Sequence, residues 1–217
     1  MFQTNVEGDV VVARIIAFVV AITIHEFAHA WSAYQLGDST AARMGRITLN
    51  PVSHFDPIGF IGMLFIALGF PAFGWGRPVP VNPNYLRGGH RGMAIVALAG
   101  PLSNVIVAMA LMLPIRFGAA QPTGDLEMFI SQMVFINLIL AAFNLIPIPP
   151  LDGLKILTGI LPAFWYRYLA PLEMYGFYIL FGLIMFGRLI GGGEIIVDMY
   201  APAYNLLTRA IVGSGFG

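Results

Sequence analysis

Cysteine is absent from the 217 residues, so disulfides and thiol nucleophiles are excluded. Charge is scarce: Asp, Glu, Lys and Arg make up 10% of the chain, against about 25% in soluble domains. The eleven basic and eleven acidic side chains balance, which gives no electrostatic footprint for a nucleic acid. The segment Met1 to Asp9 carries acids and no basic n-region, so a cleaved signal peptide is not expected and the first apolar segment is retained. Internal repeats and low-complexity tracts are also missing. What is present is apolar: 58% hydrophobic residues and a mean hydropathy of +0.81. This composition is that of an integral membrane protein partnered by the lipid bilayer, folded as one domain over residues 1–217. The 25 glycines and 15 prolines fit membrane helices, where neighbouring segments satisfy the freed backbone.

The stretch that carries chemistry is Ile24-His25-Glu26-Phe27-Ala28-His29, an H-E-x-x-H box inside an apolar run from Val10 to Tyr34. A helix over that run places His25 and His29, four residues apart, on one face. Two imidazoles on one face can grip a divalent metal, and Glu26 can reach a water on it. The plainer reading of such a box is a solvated helix face. Ionisable groups at membrane depth cost several kcal/mol unless they are paired, metal-bound or wet, which favours the metal.

The pattern predicts an all-α, polytopic bundle of five to six transmembrane helices, with short extended or β segments near the interface. Spans are expected over residues 9–36, 58–73, 93–115, 128–146 and 165–190, with a sixth span or a surface helix within 194–217. Arg14 snorkels toward headgroups or lines an ion pathway. Ile47 and Leu49 alternate with Thr48, which suits a short strand before Pro51. His54 stands beside Asp56 and is either structural or a metal-site partner. Alternating glycines and prolines over 73–83 forbid a helix; the stretch reads as extended chain, an edge strand or a plain loop. An extended edge there can receive a peptide by strand addition. Asn104 needs a partner at depth, either across a helix interface or beside the metal cavity. Gly191 to Gly193 reads as a hinge.

Pro147, Pro149 and Pro150 force extended backbone at or near membrane depth, which is tolerated only inside protein or along a wet cavity. Asp152-Gly153 follows. One reading is a turn at the membrane surface. The other is a carboxylate delivered into the bundle as a third ligand. Two imidazoles and one carboxylate leave a fourth position open, the catalytic pattern rather than the structural one.

Taken together, these pieces resemble the site-2 protease family of intramembrane zinc metalloproteases, in its compact prokaryotic branch without a PDZ domain. The resemblance rests on His25-Glu26-Phe27-Ala28-His29 and on Gly45-Arg46-Ile47-Thr48-Leu49-Asn50-Pro51 running into His54-Phe55-Asp56-Pro57. It rests also on Gly100-Pro101-Leu102-Ser103-Asn104, and on Asn144-Leu145-Ile146-Pro147 with Asp152-Gly153. It covers residues 15–157 and leaves the C-terminal helices, about 165–212, without a motif. It implies one zinc ion per chain on His25, His29 and Asp152, with Glu26 as general acid and base. It places Asn104 and Asn144 near the catalytic centre, where an amide can steady substrate backbone or the oxyanion, and leaves His54 as a candidate supporting residue. The implied activity is hydrolysis of a peptide bond in a transmembrane helix of another protein, as in regulated intramembrane proteolysis, in a prokaryotic cell (inner) membrane. The competing expectation is a non-enzymatic membrane protein, such as a metal transporter or an inactive helix-binding scaffold. A transporter would distribute ligands over several spans as a path.

Overall fold

Small residues decide how closely the first helix is packed. α1 (Gly8–Gln35) buries Ala13, Ala17, Ala21, Ala30 and Ala33, and side chains this small let neighbouring backbones approach. The computed structural model describes residues 7–69, 72, 74–186 and 195–213. After α1 come α2 (Thr40–Arg43), a 3₁₀ turn (Pro51–His54), α3 (Pro57–Ala67), α4 (His90–Arg116) and α5 (Asp125–Asn144). The chain continues through α6 (Asp152–Ile160), α7 (Tyr166–Phe186) and α8 (Ile195–Ile211). The described residues contain no strand, and the protein is all-α.

α4 is the hub, packed against α1, α5 and α6, while α1 also packs on α5. Ala17 and Ala21 of α1 meet Met133, Ile136 and Leu140 of α5. Ala108 and Met112 of α4 meet Val134 and Leu138 of α5 and Ile211 of α8. The linker after α5 packs through Ile146 and Leu151 on Leu180 of α7.

Among the described residues three helices, α1, α4 and α5, are long and apolar enough to cross a membrane. α3, with 11 residues, rises only about 16 Å against a hydrocarbon core of about 30 Å. Within α7 the apolar stretch is Pro171–Ile184. Arg14, at the N-terminal end of α1, donates from Nε to Gln132 Oε1 of α5 (3.1 Å). It therefore ties two helices together as well as sitting near an end.

The short strand expected before Pro51 does not form, and of the alternatives for 73–83 the described residues take no strand. Around Ile47 and Leu49 the backbone bends, and its polar groups are taken by nearby side chains: Thr48 Oγ1 accepts from Asn50 N–H (3.1 Å), and the Thr48 carbonyl accepts from His54 Nε2 (2.9 Å). Such local bonds compete with a ladder. Residues 74–82 form no helix and pair with no strand, and Asn82 is extended. Phe73 and the Gly191 to Gly193 hinge lie outside the described residues.

Candidate metal centre

Each member of the site arrives on a different kind of element. His25, Glu26 and His29 lie on one long helix, where the four-residue spacing stacks the two rings at a centroid distance of 4.6 Å, edge to face. Asp152 is the first residue of α6. The proline-bearing linker ends there, and the exposed N–H groups of a helix start favour a negative side chain. His25, His29 and Asp152 are all buried, and one ligand atom from each lies within 4.8 Å of the others. Asp152 Oδ2 is 3.1 Å from Nε2 of both histidines, and the two Nε2 atoms are 3.0 Å apart.

The far sides of the rings determine what faces inward. His29 Nδ1 lies 2.7 Å from the Val96 carbonyl of α4. A carbonyl only accepts, so Nδ1 carries the hydrogen and Nε2 presents a lone pair. For His25 the assignment passes through two amides. Asn137 Nδ2 donates to the Met133 carbonyl (2.8 Å), so its Oδ1 turns toward Asn104. Asn104 Nδ2 donates to that Oδ1 (3.0 Å) and to the Ala21 carbonyl (3.0 Å). Asn104 Oδ1 therefore faces His25, whose Nδ1–H donates to it at 2.7 Å. With both rings neutral, two imidazole lone pairs and a carboxylate oxygen converge on one small space, an arrangement that repels itself unless a proton or a metal cation sits among them.

Space is kept open for the rings. A Cβ on Gly100 of α4 would stand 2.4 Å from His29 Nε2 and 2.7 Å from His25 Cε1, far inside contact distance. Gly100 is one of the small residues by which the Gly100-Pro101-Leu102-Ser103-Asn104 stretch lets α4 approach α1. The donor set, the fixed tautomers and this cradle all fit a tetrahedral ion such as zinc with one position open.

Glu26, also buried, accepts through Oε2 from the Val79 N–H (3.0 Å) in the non-helical segment. Lys155, one turn into α6, brings Nζ within 3.9 Å of Asp152 Oδ1, the oxygen turned away from the histidines.

Of the other residues singled out in the sequence, Asn104 touches the group directly. Asn144 spends its amide on the Leu140 carbonyl of its own helix (3.0 Å). His54 is buried but outside the group, held through Nε2 by Thr48. Asn137 and Arg46 were not separable in the sequence from ordinary buried or interfacial polar residues. For Asn137 the one signal was an unsatisfied amide at depth on the span facing Asn104. For Arg46 it was a cation inside the same motif as Asn50 and Pro51.

A buried pair of imidazoles on one membrane helix, closed by a distant carboxylate and flanked by a glutamate, defines a metallopeptidase of the helical membrane class. The sequence comparisons agree. The profile of Peptidase family M50 matches residues 110–187. A Bacillus subtilis protein named "Putative zinc metalloprotease YwhC" is 40% identical over 209 residues, covering 89% of this chain and 93% of its own. The Mycobacterium tuberculosis protein named "Putative zinc metalloprotease Rip2" is 35% identical over 184 residues, 82% of this chain and 68% of its own. No solved structure gives a significant match. The chain belongs to peptidase family M50, the site-2 protease family of membrane metalloproteases.

Proposed function

We propose that the protein is an intramembrane zinc endopeptidase that cuts a transmembrane segment of another membrane protein, as in regulated intramembrane proteolysis. The reading rests on one observation above the others: Nε2 of His25, Nε2 of His29 and Oδ2 of Asp152 converge beside Glu26 inside an apolar bundle. In this reading the chain is one membrane-embedded domain in which α7 adds a span to α1, α4 and α5, α3 is only partly inserted and α8 is a further span or a surface helix, placed in a prokaryotic cell membrane. Among the described residues no second group of ligating side chains marks a transport path.

A zinc ion held by His25, His29 and Asp152 supplies Lewis acidity toward the scissile carbonyl and lowers the pKa of water to about 7. Glu26 takes the proton from the attacking water and delivers it to the nitrogen of the leaving amide, so the carboxylate is regenerated. Its Oε2 is fixed by Val79, which leaves Oε1 to carry the proton. Asn104 holds the His25 ring in its binding tautomer. A helical substrate hides its carbonyls in hydrogen bonds and must unwind before attack. Substrates with helix-weakening Gly, Pro or Asn are therefore preferred. The chain around Val79 to Val81 supports the unwound strand by backbone pairing through groups other than the Val79 N–H, which Glu26 holds.

Purified Glu26→Gln, incubated with a panel of single-span peptides with and without a chelator, tests this reading. It should keep its zinc and lose about 10²–10⁴-fold in cleavage rate. Cleavage at the wild-type rate would remove Glu26 from the chemistry, and chelator-resistant cleavage would remove the metal.

A further inference from the structure

The peptide unit joining Pro78 to Val79 is held at both ends by opposite charges. Its N–H, on Val79, donates to Glu26 Oε2 at 3.0 Å. Its carbonyl, on Pro78, accepts from Arg46 Nη2 at 3.2 Å, and the same nitrogen also donates to the Arg77 carbonyl. Arg46 is only 4% exposed. A peptide dipole lying between a carboxylate at its N–H end and a guanidinium at its carbonyl end is oriented by both. Pulling on the carbonyl also strengthens the N–H as a donor. Burial pushes the Arg46 guanidinium below its ordinary range, while the negative charge of Glu26 draws it back up.

The rest of the segment is seated so that this contact has little freedom. Arg77 N–H donates to the His54 carbonyl (2.8 Å), and Asn82 N–H donates to Asp38 Oδ2 (2.7 Å). A Cβ on Gly76 would stand 2.8 Å from Cγ1 of Ile22, one helical turn before Glu26. Pro78 and Pro80 fix two φ angles in between and remove two N–H groups. The segment therefore lies directly on α1, and Arg46 is the side chain that grips its carbonyls next to Glu26.

We propose that Arg46 is a positioning residue for Glu26: it clamps the Arg77 and Pro78 carbonyls and so fixes the Val79 N–H that holds one oxygen of the proton-carrying carboxylate. The inference rests on the assignment of Glu26 as the proton carrier. It does not touch the metal group, so loss of Arg46 lowers the rate of the chemical step and leaves the metal in place. A lysine retains the charge, but its shorter side chain and compact, strongly hydrated ammonium do not set a donor where Nη2 meets both carbonyls.

The test uses the purified full chain loaded with zinc, as wild type, Arg46→Lys, Arg46→Ala and Glu26→Gln, against a cleavable single-span peptide. In Arg46→Ala, kcat is expected to fall about 10²-fold, the scale of a misplaced catalytic group, with KM and zinc content nearly unchanged. Arg46→Lys should recover part of the loss. Added methylguanidinium should restore Arg46→Ala and leave Glu26→Gln inactive. Hydrogen exchange adds a readout that needs no substrate: the Val79 amide should exchange faster in both Arg46 variants. The proposal is overturned if the Val79 amide stays protected, if KM rises while kcat holds, or if zinc is lost in parallel. Should Arg46→Ala fail to fold, Arg46→Lys carries the same comparison. If the wild-type chain cleaves no peptide, the proteolytic reading falls, and exchange at Val79 still decides whether the clamp exists.

Discussion

The two flanks of α1 hold their functional groups by different means. On the flank facing α4 and α5, the metal-facing rings are fixed by side-chain amides and a carbonyl on long helices: Asn137, Asn104 and Val96. On the other flank Glu26 is fixed by a non-helical segment, itself held by Arg46, His54 and Asp38 from short loops. Helix-borne supports are rigid and keep their geometry. Loop segments open at lower free energy than helices packed in a core. On the proposed function, the contrast means that metal affinity and proton handling are separately built, so mutations should divide them.

The largest division is expected from the ligands themselves. Asp152→Ala and His25→Ala should each lose the bound zinc, read by metal analysis of the purified chain, with cleavage falling to background. His54→Ala should keep its zinc, because His54 serves the segment and not the metal. Zinc lost in all three would merge the flanks into one multi-residue site. Gly100→Ala comes next. Its new Cβ must displace the rings it would overlap, and zinc affinity should drop on the order of 10²-fold, judged by competition with a chelator.

Smaller effects sharpen the same contrast. Asn104→Ala should weaken zinc binding roughly 10- to 100-fold, and Asn137→Ala should fall at the lower end of that range. Neither should speed exchange at Val79; faster exchange there in Asn104→Ala would show that the flanks are coupled through α1. The smallest effect belongs to Asp38, fully buried just beyond α1. Burial pushes its carboxyl up, but bonds from Thr40 and from the Asn82 N–H outweigh this and hold it below the usual carboxylate range. Its folded pKa is depressed, so its stabilisation is complete above the unfolded value of about 4 and fades as pH falls through the folded value. Asp38→Asn should therefore cost about 1–2 kcal/mol at neutral pH in thermal unfolding. The gap to wild type should close in acid. A gap that widens in acid would contradict the assignment.

Much of the helical frame was legible in the residues. Apolar runs bounded by Gly, Pro and Asp placed α1, α4 and α5 within a few residues of where they lie, because span length is imposed by the bilayer and caps are local chemistry. The short strand expected before Pro51, and the edge-strand alternative for 73–83, fail among the described residues for the complementary reason. Alternation and proline mark extended chain, but a ladder needs a partner, and here the backbone groups pair with Glu26, Arg46, Asp38 and one another.

By itself the sequence determined the apolar class of the protein, the pairing of His25 with His29, and Asp152 as a candidate to join them. Helical periodicity and transfer free energy act on any chain with those residues. Only the tertiary structure decided which atoms meet. The amide relay from Asn137 to His25, the space left by Gly100 and the grip of Arg46 on the peptide before Val79 join positions from 31 to 79 residues apart. Hydrogen-bond direction between such distant groups is set by how the helices pack and leaves no period in the sequence.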